Sequence, residues 1–196
     1  MFEIIPCASG CGRSATSGSN VCFVHQADRA RETRRIVEHI AGNATVRDLN
    51  ASGVEFVGED FSDRRFFGCC FRNAVFSGCR FSEVLLRMCF LDFARFSGCE
   101  FLRSDFQFVS FAGAEFADCG FRDSELVHAN FLGAGIERTS FNSLNLYNSR
   151  FINARLRETG FVNCNVMRTN FAYAGQENVT FRPTNTGDAI FEVEPS

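Results

Sequence analysis

The sequence predicts an all-β solenoid, in which the chain winds into stacked four-sided coils. Three observations lead to this prediction. From Phe56 to Phe181 every fifth residue is apolar: of these 26 positions eighteen are Phe, seven are Leu, Ile or Val, and only Gln176 is polar. Two residues before each of them, 23 of the 26 positions hold Ala, Cys, Ser, Thr or Val. Charges of opposite sign recur twenty residues apart.

The period of five excludes an α-helix, which repeats every 3.6 residues, and a simple strand, which repeats every two. Residues two apart in an extended segment point the same way, so the small residue and the following Phe both point inward. The other residues must turn a corner before the pattern restarts, which makes each pentapeptide one side of a coil. The small inward position holds a larger residue in three places, Glu59, Arg64 and Leu144. The first two lie in the first coil, which is therefore expected to be irregular.

The charges indicate how many sides a coil has. Residues one coil apart lie about 4.8 Å from each other, where opposite charges attract and like charges repel. Within residues 56–181, ten opposite-sign pairs and two like-sign pairs are twenty residues apart, whereas at a spacing of fifteen the counts are three and four. The counts favour a four-sided coil of twenty residues, about 6.5 coils in all and roughly 31 Å long. The expected contacts include Asp60/Arg80, Arg80/Glu100, Arg95/Glu115, Asp118/Arg138/Glu158 and Glu137/Arg157/Glu177.

Segments such as "AEFADCGF" (114–121) and "ANFLGAGI" (129–136) resemble the pentapeptide-repeat family, over about 125 of the 196 residues. The resemblance implies a right-handed quadrilateral β-helix. It also implies an alternative function, because some members imitate duplex DNA and bind bacterial DNA gyrase, a type II topoisomerase, as quinolone-resistance pentapeptide proteins do. Charge weighs against this alternative: 31 Å of B-DNA carries about 18 negative charges, whereas residues 56–181 contain 14 acidic residues and 13 Arg.

Cysteines recur at the small inward position in two columns, Cys79, Cys99 and Cys119 on one side and Cys69 and Cys89 on the opposite side. Other coils place Ala, Ser, Thr or Val there, so cysteine is expected to act as a small apolar filler. A column of metal-binding or redox-active thiols is the alternative, although no His or carboxylate joins them. The predicted structural core includes Phe76, Cys79, Phe96, Cys99, Phe101, Cys119 and Phe121.

The N-terminal segment does not follow the repeat. It contains Cys7, Cys11, Cys22 and His25 in the spacing C-x3-C-x10-C-x2-H, four ligands that suit tetrahedral Zn²⁺. Gly10 and Gly12 allow the backbone to turn beside the second cysteine. The segment is similar to zinc-knuckle motifs of the kind "C…CGR…CxxH", and an ordinary loop with free thiols is the alternative. Four protein ligands leave no open position, so the zinc is expected to be structural.

We expect four segments: a zinc-knuckle-like segment (1–26), a capping helix (27–43), the β-helix (44–183) and a C-terminal cap or tail (184–196). In the helix, Ala30, Arg34, Val37 and Ala41 lie on one stripe beside Ile36 and Ile40, and Gly42 supplies a stop. An open solenoid end exposes strand edges, which the knuckle and helix are expected to cover. Nucleic-acid binding through the knuckle is a lesser alternative, because residues 1–50 hold six Arg and five acids.

Outward residues can be assigned to a side of the coil by their position modulo twenty. The sides centred on Phe56 and Phe61 hold most of the charge ladders, whereas the sides centred on Phe66 and Phe71 present apolar residues. A contiguous apolar patch of this kind typically marks an interaction surface. The predicted partner-binding face consists of Phe67, Leu85, Met88, Phe90, Phe93, Phe108, Val127, Tyr147 and Met167, with Leu132, Ile152 and Tyr173 adjoining it.

These features predict a non-enzymatic interaction scaffold that binds an unidentified protein partner or a second copy of itself. Only three histidines are present, and no nucleophile–base pair or phosphate-binding loop is recognisable. The formal net charge of −3 does not indicate a nucleic-acid binder. No apolar run is long enough for a membrane span, and residues 1–10 lack signal-peptide features, so a cytoplasmic protein is expected.

Overall fold

A computed structural model describes residues 4–191, and its architecture is the predicted four-sided β-solenoid, with about seven turns and one N-terminal helix. Strands pair in parallel with partners twenty residues away: Phe56 lies opposite Phe76, and Phe76 opposite Phe96. This register confirms the coil length that the charges predict. Among the described residues no helix is long and apolar enough to cross a membrane.

Three sides of the solenoid form regular sheets of short strands. The side centred on Phe56 contains β2 (Glu55–Val57), β4 (Val75–Ser77), β7 (Arg95–Ser97), β10 (Glu115–Ala117), β12 (Gly135–Glu137), β14 (Arg155–Arg157) and β16 (Gly175–Glu177). The side centred on Phe61 contains β5 (Arg80–Ser82), β8 (Glu100–Leu102), β11 (Gly120–Arg122), β13 (Ser140–Asn142), β15 (Gly160–Val162) and β17 (Thr180–Phe181). The side centred on Phe66 contains β1 (Thr45–Arg47), β3 (Arg65–Phe67), β6 (Leu85–Arg87) and β9 (Asp105–Gln107).

The fourth side, centred on Phe71, is held by single parallel bridges that run from Asn50 to Ile190 in steps of twenty residues. The coil continues past residue 183, since Asn170 pairs with Ile190 on this side, Asn165 pairs with Asn185 on the side centred on Phe66, and Phe191 stacks on Phe171 with ring centroids 5.1 Å apart. Residues 184–191, expected to be a cap or tail, therefore continue the coil. The rest of that segment, 192–196, and residues 1–3 lie outside the described part of the chain.

The corners of the coil obey a third positional rule. From Asp48 to Asn178, every fifth residue has a positive φ, and Gly, Asn or Asp occupies sixteen of these 27 positions. These residue types tolerate the left-handed conformation best. At the other eleven corners the fold imposes this conformation on less suitable residues, among them Met88, Phe93, Phe108 and Tyr173.

Stacked phenylalanines fill the interior. Phe96 stacks on Phe116 with centroids 4.7 Å apart, and Phe101 stacks on Phe121 at 4.2 Å. Rings of adjoining columns meet edge to face, as Phe116 and Phe121 do at 5.7 Å. Aromatic pairs favour both arrangements, and each ring also loses its contact with water.

The inward cysteines are buried between these rings, and their thiols donate weak hydrogen bonds to the preceding coil. The Cys79 Sγ lies 3.6 Å from the carbonyl oxygen of Phe56, twenty-three residues earlier. Ser104 donates in the same way to Phe81 at 2.9 Å, and Thr159 to Ile136 at 3.2 Å. Cysteine is therefore interchangeable here with other small donors, which supports the filler interpretation.

The N-terminal helix α1 (Arg29–Ala41) is shorter than the expected 27–43. The Asp28 side chain accepts a hydrogen bond from the Arg31 amide at 2.9 Å, which begins the helix, and Gly42 ends it as predicted. The buried stripe is Glu32, Ile36 and Ile40, with Val37 partly buried, whereas Ala30, Arg34 and Ala41 are exposed. The predicted stripe was therefore wrong in part, because the helix turns Ile36 and Ile40 toward the first coil.

Arg64, which breaks the repeat, has a role in this junction. Its Nη2 donates a hydrogen bond at 3.3 Å to the carbonyl oxygen of Ala41, the last residue of α1. A cation at a helix C-terminus satisfies a free carbonyl and opposes the helix dipole. The irregular first coil is thus an adaptation to the helix that covers it.

The surface charges form part of the expected pattern. Arg157 lies 3.7 Å from both Glu137 and Glu177, as predicted. Glu115 instead pairs with Arg155, two coils away, at 2.8 Å. Gly135 stands between them, and a Cβ there would lie 1.8 Å from the Glu115 carboxylate. The missing side chain lets Glu115 lie across Gly135, so the expected Arg95/Glu115 pair was wrong.

Two further expected contacts, Arg80/Glu100 and Arg138/Glu158, do not form, because each arginine pairs with another carboxylate. Arg80 pairs with Asp60 at 3.8 Å rather than with Glu100. Arg138 pairs with Asp118 at 2.7 Å and with its neighbour Glu137 rather than with Glu158. An arginine side chain is long enough to reach several carboxylates near a corner. The spacing of charges along the sequence therefore does not determine which carboxylate the arginine pairs with.

Candidate metal centre and interaction surface

A tight hairpin positions the first two cysteines. Pro6 bridges Ser14 in antiparallel fashion, and the Cys7 amide donates to the Arg13 carbonyl at 2.9 Å. Gly10 and Gly12, on either side of Cys11, have φ values of +68° and +76°, so both need the freedom of glycine. The hairpin therefore directs Cys7 and Cys11 to the same side.

A single 3-10 turn, Phe23–His25, supplies the other two side chains. Cys22 precedes the turn, and its carbonyl accepts a hydrogen bond from the His25 amide at 2.9 Å. The buried Phe23 anchors the turn in the core next to Ile36 and Ile40. Cys22 and His25 consequently face the two cysteines of the hairpin.

The four predicted ligands converge on one point. The His25 Nδ1 lies 3.4 Å from the Cys7 Sγ and 3.6 Å from the Cys22 Sγ, and the Sγ atoms of Cys11 and Cys22 are 3.7 Å apart. All four ligand atoms lie within 4.8 Å of one another. In tetrahedral zinc sites, bond lengths of roughly 2.3 Å to sulfur and 2.0–2.1 Å to nitrogen place sulfurs about 3.8 Å apart and sulfur about 3.5 Å from nitrogen. The three distances given are therefore close to those of a tetrahedral zinc site.

The backbone prepares one of the thiols for metal binding. The Cys22 amide donates to the Cys7 Sγ at 3.2 Å, and this hydrogen bond lowers the pKa of Cys7 to about 5. Burial raises the pKa of Cys22. Zinc binds thiolates, so a thiol that already favours the charged form is a suitable ligand. With four protein ligands the centre would be closed, which suits a structural metal.

A buried polar network connects this segment to α1. The carboxylate of Glu32 accepts hydrogen bonds from the Arg35 Nε at 2.9 Å and from the Thr16 hydroxyl. Burial opposes the charge of Glu32, but these hydrogen bonds outweigh it, so the pKa of Glu32 lies below its ordinary value. Arg35 also donates to the Ser17 carbonyl, and the Ser17 amide donates to Asn50 at 2.8 Å. The network thus extends from the helix to the first coil.

The predicted partner-binding face divides into exposed and half-buried residues. Met88, Phe93 and Phe108 are 60%, 62% and 59% exposed, and Met167 is also exposed. Arginines lie over three half-buried rings: Arg47 over Phe67, Arg72 over Phe90 and Arg168 over Tyr147. Leu85 and Val127 are half-buried as well.

Four of the exposed apolar side chains, Met88, Phe93, Phe108 and Tyr173, stand at left-handed corners. Met88, Phe108 and His128 succeed one another along one corner, which we name the 88–128 corner. The rings of Phe108 and His128 stack with centroids 4.9 Å apart, and Asn148 meets the His128 Nδ1 at 2.7 Å. A groove of about 330 Å³ runs beside this stack, with Ser110, Asn130 and Arg150 on its other wall.

The predicted face did not include His128, and it placed Leu132 and Tyr173 only as adjoining residues. Leu132 and Tyr173 are 44% and 71% exposed on the side centred on Phe71. The signal that identifies the corner residues is the position two after each central Phe, which has the same period of five. A side chain that is neither Gly, Asn nor Asp at that position is retained despite its conformational cost.

Comparisons with known proteins agree with the architecture. A family model described as "Pentapeptide repeat region" matches residues 114–191, and a second, "Pentapeptide repeats (8 copies)", matches residues 74–107. No curated protein matches the chain by sequence.

One solved structure shows the same fold. A trypsin-treated variant of QnrB1, described as a plasmid-mediated fluoroquinolone resistance protein, is 19% identical; the match covers 76% of this chain and 81% of that one, with a TM-score of 0.55. HetL, a pentapeptide repeat protein involved in heterocyst differentiation regulation in the cyanobacterium Nostoc, is 11% identical over 80% of this chain and 95% of its own, with a TM-score of 0.35. At these identities the likeness concerns the fold alone.

Proposed function

The chain belongs to the pentapeptide-repeat family, and on that premise we propose that it is a non-enzymatic interaction protein that presents the 88–128 corner to a protein partner. The observation that supports this proposal is the pair Met88 and Phe108. Both side chains are more than half exposed, and both backbones have a positive φ, of 51° and 55°. An L-residue in this conformation costs roughly 1–2 kcal/mol.

Neither exposure nor strain benefits the fold at these two positions. Many corners of the same type hold glycine, for example Gly68 on the same corner. A bulky apolar side chain at a strained, water-facing site is therefore best explained by contact with another molecule. Phe and Met are also enriched at the centres of protein interfaces.

Replacement by glycine tests this proposal, because it predicts opposite effects on stability and binding. Met88→Gly/Phe108→Gly is expected to leave the free energy of unfolding unchanged or to raise it, because the strained backbone is relieved. The same variant is expected to lose a partner that the wild-type protein captures from its native cytosol. Ser143→Gly, at a left-handed corner of the Phe61 side with a φ of 53°, is the matched control and should keep the partner. Equal capture by both variants would refute the proposal.

The N-terminal ligands are proposed to hold one structural Zn²⁺. The observation that supports this proposal is that the Sγ···Sγ and Sγ···Nδ1 distances agree with those of a tetrahedral zinc site. Elemental analysis is expected to find one zinc per wild-type chain and none in Cys22→Ser. Cys164→Ser, which alters a buried thiol in the solenoid core, should retain the metal. Zinc-free wild-type protein would refute this proposal.

Two other functions are less well supported. The fold likeness to QnrB1 suggests DNA gyrase as a target, but the acidic residues here alternate with arginines, as in Glu137, Arg157 and Glu177, instead of forming an acidic face. A supercoiling assay with purified gyrase tests this alternative, and we expect no change in activity. Nucleic-acid binding through the N-terminal segment would weaken with added salt, and we expect no binding at physiological salt.

A further inference from the structure

We propose that the side centred on Phe71 packs against the same side of a second copy of this chain, with the two rods antiparallel and the two-fold axis at Leu132. This surface adjoins the 88–128 corner but consists of other residues. It comprises the outward residues of five successive coils, Phe90, Asp92, Phe93, Ser110, Ala112, Gly113, Asn130, Leu132, Gly133, Arg150, Ile152, Asn153, Asn170, Ala172 and Tyr173.

Charge distinguishes this side from the rest of the rod. Only two of its fifteen outward residues are charged, whereas nine are charged at the corresponding positions of the Phe56 side, residues 95–178. One of the two, Asp92, is buried and paired with Arg72 at 2.9 Å, and the Ser110 hydroxyl donates to it. Arg150 is thus the one charge on this side without an ion-pair partner in the described chain. Burial of this side against protein therefore desolvates little charge.

The two-fold arrangement follows from the positions of large and small residues. Rotation about an axis across the rods places each residue opposite one in the same column, at an equal distance on the other side of the axis. With the axis at Leu132, Leu132 meets its own copy and Ile152 faces the small Ala112 of the second chain. At the ends, Phe93 faces Tyr173, both of which are largely exposed in the single chain.

Two polar contacts also match in this register, whereas Asn170 faces Phe90. Arg150 faces Ser110 of the other copy, and Asn130 faces Asn130, whose amide can both donate and accept. A parallel arrangement would instead bring Arg150 against the other copy's Ile152. In the chosen register Asp92, which is buried and already paired with Arg72, faces Ala172. A shift of the axis by half a coil toward Tyr173 would place Ala112 against Ala172, which leaves a void.

The size of the surface predicts the strength of the dimer. Fifteen residues on each copy fall below the roughly 20–30 on each side of a standard interface. Apart from side-chain rotations the rigid coils need no rearrangement, so little conformational entropy is lost. We therefore expect a reversible dimer with a dissociation constant in the micromolar range, on the order of 1–100 μM.

Sedimentation velocity over a range of protein concentrations tests this inference. The wild-type chain is expected to change from monomer to dimer within the micromolar range. Leu132→Asp would bring two carboxylates together on the axis and is expected to weaken the dimer at least tenfold. Leu102→Asp is the matched control, since Leu102 also follows a central Phe but lies on the Phe61 side, and it should dimerise like wild type. A wild-type monomer throughout, or equal dimerisation of both variants, would overturn the proposal.

Disulfide trapping tests the orientation. Leu132→Cys is expected to form a covalent dimer on oxidation, whereas Leu102→Cys is not. Phe93→Cys and Tyr173→Cys chains should each form no covalent dimer alone and should cross-link when mixed. A parallel dimer, or another register, would not give this mixed product. Loss of dimerisation would leave partner capture by the 88–128 corner intact, so the outcomes for the two surfaces are separable.

Discussion

The repeat region and the N-terminal segment fold by different means, although they share one hydrophobic core. In the repeat region, buried rings contact one another within a coil and between coils, as Phe116 contacts Phe96, Phe111 and Phe121. The N-terminal segment buries few large side chains, among them Phe23, Ile36 and Ile40. It depends instead on two unique constellations, the cysteine–histidine cluster and the Glu32 network.

The two regions therefore differ in the number of contacts that must be lost before each one unfolds. A solenoid distributes its stability over nearest-neighbour contacts, so the loss of one ring weakens one place. A small segment held by one centre loses most of its structure when that centre is lost. The comparison leads to four predictions, which are ordered from the largest expected effect to the smallest.

Removal of the metal should unfold the N-terminal segment and leave the solenoid folded. In the zinc-loaded protein, a strong chelator is expected to abolish the helical circular dichroism signal of α1. Without the metal, the residues before α1 bury too few apolar side chains to stay folded. Amide exchange should become fast in residues 7–41 and remain slow at the central strands, for example β10. Simultaneous loss of protection in β10 would show that the solenoid also depends on the metal.

Truncation of one core ring should cause the largest single loss within the repeat. Phe116 is 1% exposed and stacks on Phe96. Phe116→Ala is expected to lower the free energy of unfolding by about 3–5 kcal/mol, from lost burial and the cavity left behind. Urea denaturation measures this change. Phe108→Ala, which shortens an exposed ring, is the control and should change stability by less than about 0.5 kcal/mol. Equal effects would contradict the assignment of inside and outside.

The repeat explains why most of the fold could be predicted from the sequence. A column such as Phe96, Phe116 and Ile136 fixes both direction and register, because the same position recurs every twenty residues. The metal-binding cluster was also predictable, because cysteine and histidine are the residue types that bind zinc. It consists of Cys7, Cys11, Cys22 and His25.

Features that depend on a single neighbour were not predictable. Glu115 pairs with Arg155 only because Gly135, which lies between them, has no side chain. Arg64 binds the last residue of α1, which lies twenty-three residues earlier in the chain. The burial of Glu32 depends on the distant Thr16 hydroxyl. No periodic signal marks these contacts, since each occurs once. The same limit applies to interaction surfaces, whose residues are selected by a partner that the sequence does not contain.

The Glu32 network should make the N-terminal segment sensitive to acid. The folded-state pKa of Glu32 lies below its unfolded value of about 4.3, so the carboxylate stabilises the fold above that pH. This contribution is lost as the pH falls through the folded-state pKa. Glu32→Gln is expected to destabilise the segment by about 1–3 kcal/mol at pH 7 and by much less near pH 3.

The control for this experiment is Glu38→Gln, which alters an exposed carboxylate of the same helix. Acid also protonates the metal ligands, and metal loss would unfold the segment in both variants, so the difference between them is compared only over the pH range in which both proteins still hold zinc. Thermal unfolding of both proteins from pH 3 to pH 7 measures that difference. A constant difference over this range would show that the Glu32 side chain contributes through packing rather than through its charge.

The surface ladders of the repeat should contribute least of all. Arg103 donates to Glu83 from Nη2 at 2.8 Å and from Nε at 3.1 Å, but both side chains are more than half exposed. Exposed pairs of this kind contribute about 0–1 kcal/mol, because water screens the charges and two long side chains lose freedom. A double-mutant cycle with Glu83→Gln and Arg103→Gln is expected to give a coupling free energy below about 0.5 kcal/mol, decreasing further as salt is added. A coupling energy above about 1 kcal/mol that persists in high salt would mean that the ladders help to hold the coils together. In that case the stability of the repeat would depend on its surface as well as on its stacked rings.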